Sequence, residues 1–179
     1  MRTRAECLEL YGSDYFIGKK IKEGELYKVG KGIYSDKKYV PEMAVYSYKY
    51  PNAVVTMKSA FYVHGLTDVI PDECEMATKR DAAKIKDKKV KQYFVDEELF
   101  AEGIEKTDYK GYEIQIYNKE RMLIELVRYK SNFSYDYYKE LILNYRKLLP
   151  ELDIQKIQDY ALSAPKSNKV IEILQTEVL

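Results

Sequence analysis

Hydrophobic positions recur with helical spacing near the front of the chain, and two short helices are predicted there. The first covers Thr3–Leu10, whose leading threonine and Glu6 have the spacing of a capping box. The second covers Asp14–Lys22, in which Ile17 and Ile21 lie four residues apart and share one face. A glycine follows each stretch, as is common where a helix ends. Two short helices joined by a tight turn form a helix-turn-helix.

A glycine-tipped hairpin is predicted directly after the second helix. Two short β-type runs, Leu26–Val29 and Ile33–Ser35, flank the sequence Gly30-Lys31-Gly32. Glycine at the first turn position tolerates positive φ, which favours a tight turn. A short basic helix followed by such a hairpin is the layout of the recognition helix and wing of a winged-helix DNA-binding domain. The helix would enter the major groove, and the wing would contact the backbone or the minor groove.

Beyond residue 40 the pattern alternates between short strands and amphipathic helices. Alternation and short apolar runs predict strands at 53–55, 74–78, 93–95 and 113–117. Three-to-four spacing and Pro or Gly breakers predict helices at 41–50, 57–64, 119–129, 135–149, 153–163 and 167–178. We therefore predict an α+β protein of two domains. A winged helix-turn-helix would cover 1–50, and a mixed α/β domain ending in a helical tail would cover 51–179.

Composition narrows the class of protein. An apolar fraction of 46% with mixed charges indicates a globular rather than a disordered chain of 179 residues. No apolar run reaches the length of a bilayer span and no signal-peptide pattern opens the sequence, so we expect a cytoplasmic protein without membrane contact. Cys7, Cys74 and the single histidine, His64, have no metal-ligand spacing. Reduced thiols are therefore expected, with no metal and no other cofactor.

The net charge of +1 conceals a strong segregation of charge along the chain. Residues 1–60 hold 11 basic and 7 acidic side chains, and residues 78–93 hold 7 and 2. Residues 61–77 hold 4 acidic and no basic side chains, and residues 94–179 hold 16 acidic and 12 basic. Such an asymmetry suits a DNA-contacting front and a different partner, or solvent, behind it.

The basic and tyrosine side chains of the second helix are the first candidates for a DNA surface, together with the lysines of the hairpin. The candidates are Tyr15, Lys19, Lys20, Lys22, Lys28 and Lys31. The alternative is that a lysine-rich helix face is only a solvated face. The adjoining glycine-tipped hairpin favours DNA contact.

A second run of cations lies in the middle of the chain, in a stretch too polar for a core element. A flexible basic loop is the default interpretation. The sharper interpretation is a patch that contacts phosphates without sequence preference and loses affinity steeply with salt. Its members would be Lys79, Arg80, Lys84, Lys86, Lys88 and Lys89.

Three stretches together resemble the AbiEi-type antitoxins of abortive-infection (type IV) toxin–antitoxin systems. The first is the hairpin region, Gly24–Tyr34. The second is Thr56–Thr67, close to the family's Ser-Ala-Leu-x-x-His-Gly-Leu-Thr helix, and the third is Lys119–Arg128, which matches the family's Glu-Arg-Thr-x-x-Asp-x-x-Arg helix start. Their order and spacing match as well, so the resemblance covers most of the chain. Met122 and Glu125 depart from it, because the family usually has Thr and Asp there.

The resemblance implies a transcriptional repressor that binds its own operator and an antitoxin that counters a nucleotidyltransferase-like toxin in phage defence. The partners would be double-stranded operator DNA, bound cooperatively or as a dimer, and the cognate toxin. The protein would not be an enzyme. Family members usually carry another helix before the predicted pair, and this sequence has no stretch for it ahead of Thr3.

The family motifs also single out residues for which we expect structural roles. They are His64, Gly65, Glu120, Arg121 and Arg128. His64 would lie at a helix C-terminus, where the helix dipole favours a partly positive imidazole. Glu120 suits the positive end of its helix, and Arg121 with Glu125 would form an i,i+4 pair at the strand–helix junction.

Two other functions stay open. Asp108, followed by Glu113 and Gln115 after a glycine turn, faintly resembles the core of a metal-dependent nuclease, although such a core usually has lysine where Gln115 stands. No phosphate-binding glycine loop and no Ser-His-Asp set accompanies it, so we expect no catalytic residue. The other function is a protein-interaction module that has kept the fold and lost DNA binding.

Overall fold

The computed structural model describes residues 1–178, which adopt an α+β architecture. The chain divides into two compact units. The first contains Met1–Pro51 together with Asp108–Ile114, and the second contains the other described residues, 52–107 and 115–178. No helix in this part of the chain combines the length and the apolar character that a bilayer span requires.

The first unit consists of three helices and a three-stranded antiparallel sheet. In chain order its elements are β1 (Arg2–Thr3), α1 (Arg4–Tyr11), α2 (Asp14–Lys22), β2 (Tyr27–Gly30), β3 (Ile33–Ser35) and α3 (Glu42–Lys49). The strand order is β1-β3-β2, so the short N-terminal strand completes the sheet that the hairpin begins. The sequence pattern did not predict β1, because two polar residues carry no periodicity.

Local capping explains where the first two helices begin and end. Thr3 and Glu6 form both bonds of the predicted capping box. Gly12 then ends α1 with a φ of 84°, a conformation that glycine adopts at little cost. Ser13 caps α2 by accepting a hydrogen bond from the Phe16 amide. The predicted helix pair is therefore confirmed to within one residue at each end.

The core of these helices and the hairpin is small. It joins Cys7 of α1, Ile17 of α2, Leu26 and Tyr34. Both cysteines of the chain, Cys7 and Cys74, are buried and free, and burial raises the pKa of the Cys7 thiol. Leu8 and Tyr11 pack against this cluster, and Ile33 and the residues 43–46 of α3 are buried in the same unit.

Gly30 has a different role from the one predicted. The turn residue with positive φ is Gly32, at 75°, whereas Gly30 lies inside β2 and pairs with Ile33. A Cβ atom at position 30 would lie 2.8 Å from Cγ1 of Val45 on α3. Glycine is therefore required there by close packing and not by the turn.

The second unit contains helices and a five-stranded mixed sheet, apart from the segment Asp108–Ile114 of that sheet, which belongs to the first unit. Its elements in chain order are β4 (Val54–Val55), α4 (Met57–Val63), β5 (Cys74–Lys79), β6 (Val90–Val95), α5 (Glu97–Phe100), β7 (Ile104–Tyr109), β8 (Tyr112–Tyr117), α6 (Lys119–Arg128), α7 (Tyr135–Leu148), α8 (Ile154–Ser163) and α9 (Ser167–Ile173). The strand order is β6-β5-β4-β8-β7. β4 runs antiparallel to β5 and parallel to β8, and β5 runs parallel to β6.

Helix α6 is the most buried element of this unit. Its residues from Arg121 to Val127 are all buried, because α6 packs against α4, α8 and α9. The sequence predicted one apolar face there, which is the usual pattern for a helix that lies on a core. The edge strand β7 was not predicted, because its side chains are largely polar and exposed. The last helix begins after Lys166 and not after the predicted cap, Ser167, and it passes into a π-helical turn at Leu174–Val178.

The contact at Gly30 generates a stability prediction. Gly30→Ala should lower the free energy of unfolding by about 1–3 kcal/mol, because the added methyl group overpacks the site against Val45. Adding Val45→Ala should recover part of that loss. Urea unfolding of the single and double variants measures both effects.

Gly18→Ala is the matched control, since Gly18 is helical and an added Cβ would meet nothing within 4 Å. This substitution should be neutral or stabilising by up to about 1 kcal/mol. Equal effects at positions 18 and 30 would contradict the packing role of Gly30.

Candidate nucleic-acid interface

One side of α2 presents the predicted DNA-contacting side chains to solvent. At about 100° per residue, Tyr15, Lys19 and Lys22 fall on one side of the helix, opposite the buried Ile17. Tyr15 is 75% exposed, and both lysines are exposed. Lys19 lies 3.8 Å from Glu23, a surface pair that leaves its ammonium accessible.

The apolar face predicted for α2 is only partly covered. Ile17 is buried, but Ile21 is 38% exposed and the neighbouring Phe16 is 51% exposed. Phe16 packs its ring edge-on against Tyr15 at 5.3 Å between centroids. The exposed side of the helix is therefore aromatic as well as cationic.

Lys20 differs from the other lysines of the helix. Its ammonium lies 2.6 Å from Glu25 and 3.7 Å from Glu23, and the bond to Glu25 raises its pKa. Lys20 thus fixes the segment after α2, and its side chain lies away from the Tyr15 side of the helix. Of the lysines predicted to contact DNA, Lys20 is the one whose ammonium is within 3 Å of a carboxylate of the same protein.

The hairpin presents its two lysines to solvent and is anchored to α1. Lys28 and Lys31 are both exposed, the second in the turn itself. The Arg4 amide donates to the Gly32 carbonyl at 2.9 Å, which ties the turn to the start of α1. The Arg4 guanidinium in turn makes a bidentate pair with Asp14 at the start of α2, at 2.5 and 3.0 Å. Helices and hairpin therefore hold one another in place.

The middle run of cations forms the connection between the parallel strands β5 and β6. Two of its members are paired: Lys79 with Glu97 at 2.6 Å, and Arg80 with Asp96 at 2.7 Å. The side chain of Gln92 ties the loop down through the Ile85 amide and the Ala83 carbonyl. The predicted patch thus loses two charges to local carboxylates. All six cationic side chains of the patch, including the paired Lys79 and Arg80, are exposed.

His64 and Gly65 have structural roles at the end of α4. Nε2 of His64 lies 2.7 Å from the Tyr117 carbonyl, so this nitrogen donates. Burial lowers the pKa of His64, which corrects the expected partial positive charge. Gly65 ends the helix with a φ of 68°, as predicted.

The third motif forms a buried ion-pair network at the start of α6. Arg121, only 2% exposed, places Nε at 2.9 Å and Nη2 at 2.7 Å from the Glu125 carboxylate. Its Nη1 donates to the Leu99 carbonyl at 2.9 Å, and its guanidinium lies over the Tyr117 ring. The predicted i,i+4 pair is therefore confirmed. Arg128 shares the same Glu125 carboxylate through Nη1, at 2.9 and 3.1 Å.

Glu120 contacts a different helix from its own. Its Oε1 accepts a hydrogen bond from the Asp153 amide at 3.0 Å, immediately before α8. The residue that caps α6 is Asn118, whose side chain accepts from the Arg121 amide at 2.8 Å. Glu120 therefore links α6 to α8. The sequence of α6 alone does not predict this contact between helices.

Sequence reasoning also missed a buried carboxylate at the start of α4. Glu75, on β5, accepts from the Lys58 amide at 2.6 Å and from the Tyr93 hydroxyl at 3.1 Å. Lys91 lies 3.3 Å from the same carboxylate. Glu75 thus satisfies one of the first amides of α4, where the preceding Thr56 makes no capping bond with its side chain. The available signal was a charged residue between apolar neighbours, Cys74 and Met76.

The carboxylates considered for a nuclease have other contacts. Asp108 closes the β7–β8 turn by accepting from the Gly111 amide at 3.2 Å. Within residues 1–178, no group of three or more His, Cys, Asp or Glu side chains is placed to hold a metal ion.

The network at Arg121 predicts a large cost for removing one partner. Glu125→Ala should lower the free energy of unfolding by about 3–5 kcal/mol, because it leaves a buried guanidinium without its carboxylate. Glu140→Ala, an exposed site on α7, should change it by less than about 0.5 kcal/mol. Chemical unfolding measures both, and similar values would contradict a buried network.

The environment of His64 predicts a pH dependence of stability. Because burial lowers its pKa in the folded state, the unfolded chain binds more protons as pH falls. This contribution to stability is complete above the unfolded pKa of about 6.5 and is lost as pH falls below it. His64→Gln keeps an N–H donor for the Tyr117 carbonyl and removes the titration. The slope of unfolding free energy against pH should flatten below pH 6.5 in this variant, and an unchanged slope would show that His64 does not cause it.

The resemblance to abortive-infection antitoxins rests on the three motifs alone. No protein-family model matches the chain, and no curated protein matches it either. The functional argument therefore depends on the exposed lysines and tyrosine of α2, the lysines of the hairpin, and the structural positions of the motif residues.

Proposed function

We propose that this protein is a DNA-binding transcriptional repressor and antitoxin of the AbiEi type, with a winged helix in its first unit. The observation that carries the proposal is the strand order β1-β3-β2 around the helix pair α1–α2. In a winged helix, a short strand before the helix-turn-helix pairs with the far strand of the wing hairpin. This pairing was not used in deriving the winged helix from the sequence, so it supports the proposal independently.

The distribution of side chains supports α2 as the recognition helix. Its outward side offers two exposed lysines and an exposed tyrosine, a combination that suits phosphate and base-edge contacts. The bidentate pair between Arg4 and Asp14 neutralises the acidic start of this helix. Without that pair, the Asp14 carboxylate would repel phosphates near the groove.

The hairpin supports the role of a wing. Lys31 is exposed in the turn, and Lys28 is exposed on β2. Both could contact the sugar–phosphate backbone beside the groove that holds α2. Contacts of this kind position a protein on DNA, whereas α2 would supply the sequence preference.

The antitoxin part of the proposal rests on the second and third motifs. Their residues form the α4 end and the α6 network, which are buried supports rather than exposed contact groups. We therefore assign the motifs to the stability of the second unit and leave toxin contact to its exposed surface. The second unit includes most of the acidic stretch 94–179.

The proposal predicts salt-dependent binding to DNA from upstream of the protein's own coding sequence. Lys19→Ala with Lys22→Ala should weaken binding about tenfold or more. It should also reduce the slope of log K against log salt by about 2, because two phosphate contacts are lost. Fluorescence anisotropy over a range of salt concentrations measures both quantities.

Lys147→Ala with Lys156→Ala is the matched control, since it removes two exposed lysines of the second unit. This variant should bind DNA as the native protein does. Micromolar binding that is indifferent to sequence would favour the interaction module.

Growth rescue against a co-encoded toxin provides a separate readout of the antitoxin role. The Lys19→Ala with Lys22→Ala variant should retain this rescue. Magnesium-dependent nicking of supercoiled DNA, lost in Glu113→Ala, would favour the nuclease instead.

A further inference from the structure

A cleft of about 670 Å³ opens in the second unit, and none of the residues assigned above to DNA contact lines it. It lies between the end of α6, the 3₁₀ segment Lys130–Asn132, the start of α7 and one side of α9. Its volume is in the range of sites for small organic ligands, about 300–1,000 Å³. The proposed repressor function makes no use of it.

The side chains that line the cleft carry positive charge, and two of the four cations are already paired with carboxylates. Four of its lining residues are cationic and none is acidic: Arg128, Lys130, Lys166 and Lys169. Lys130 is paired with Glu177, and Arg128 uses Nη1 for Glu125. Lys166 and Lys169 are exposed and make no ion pair with any described residue. At least two cations are therefore available to an anionic ligand.

The two exposed lysines that are available to a ligand lie at the start of α9. Lys166 and Lys169 are three residues apart, and Val170 and Ile173 continue the same side of α9 into the cleft. Lys166 adopts a left-handed backbone conformation, with a φ of 60°, directly after Pro165. A non-glycine residue in this conformation costs about 1–2 kcal/mol, and such strain is concentrated at functional positions.

Aromatic rings also line the cleft. Phe133, Tyr135 and Tyr138 all contribute to it; Tyr135 is 74% exposed, whereas Tyr138 is buried. The buried side chains of Val127 and Val170 add apolar lining. A lining that combines cations with an exposed aromatic ring favours a ligand that is both anionic and aromatic.

We propose that this cleft binds a nucleoside 5′-phosphate. The base stacks against Tyr135 and Phe133. The phosphates lie between Lys166 and Lys169 and reach the nitrogens of Arg128 that Glu125 does not use. Two kinds of ligand carry a base joined to a phosphate chain: a free nucleotide and the 5′ end of a nucleic-acid strand. We assign the free nucleotide, because the cleft has the volume of one small ligand.

Calorimetric titration of the full chain tests the proposal, with ADP, UDP, adenosine, pyrophosphate and a 5′-phosphorylated RNA hexamer as probes. ADP or UDP should bind at one saturable site, and adenosine should bind at least tenfold more weakly than ADP. Lys166→Ala with Lys169→Ala should weaken ADP at least tenfold. Tyr135→Ala should weaken ADP at least threefold and leave pyrophosphate unchanged. The Lys147→Ala with Lys156→Ala variant should bind ADP as the native chain does.

Several results would overturn the proposal. They are the absence of saturable binding by both nucleotides, adenosine binding as tight as ADP, and equal losses in the two double-lysine variants. An RNA hexamer that binds tenfold more tightly than ADP would assign the cleft to strand ends instead. The Lys19→Ala with Lys22→Ala variant should retain full nucleotide binding, so failure of the DNA proposal and failure of this one are distinguishable. Because the lysines substituted in these double variants are all exposed, thermal melting should show that the variants remain folded.

Discussion

The second unit depends on one buried ion pair, between Arg121 and Glu125 of α6. A guanidinium in the interior is stable only when its donors find acceptors, and here Glu125, the Leu99 carbonyl and the Tyr117 ring surround it. These partners come from α6 itself, from α5 and from the end of β8. One side chain thereby links α5 and the end of β8 to the central helix.

The buried Arg121–Glu125 pair also restricts two other residues, Gly103 and Arg128. Gly103 must be glycine, because a Cβ atom there would lie 2.6 Å from Cβ of Arg121. Arg128 binds both oxygens of Glu125 and is thereby oriented at the rim of the cleft. The buried Glu125 carboxylate thus orients Arg128, whose other nitrogens are available for binding at the cleft. In the first unit, helix caps, the Arg4–Asp14 pair and the apolar cluster around Cys7 connect the first two helices with the hairpin.

Charge along the chain and charge on the surface are different quantities in this protein. The most basic stretch, 78–93, loses Lys79 and Arg80 to carboxylates that follow β6. The acidic stretch 94–179 nevertheless forms a cleft whose lining has cations and no carboxylate. Ion pairs with Glu97 and Asp96 offset part of the positive charge in the first case, and the arrangement of elements around the cleft brings cations together in the second. Counts of charge by segment therefore indicate partners less reliably than the environment of each ammonium and guanidinium group.

By itself, the sequence determined the features that depend on neighbours a few residues apart. The capping box at Thr3, the glycine stops, the outward lysines of α2 and the Arg121–Glu125 spacing all follow from local backbone geometry. Only the tertiary structure decided the pairing of β1 with β3, the edge strand β7, the contact between Gly30 and Val45, and the cleft beside α9. Apart from β7, which pairs with its sequence neighbour β8 and was missed because its side chains are polar, each of these joins residues that are distant along the chain. A local pattern contains no information on which distant surfaces meet.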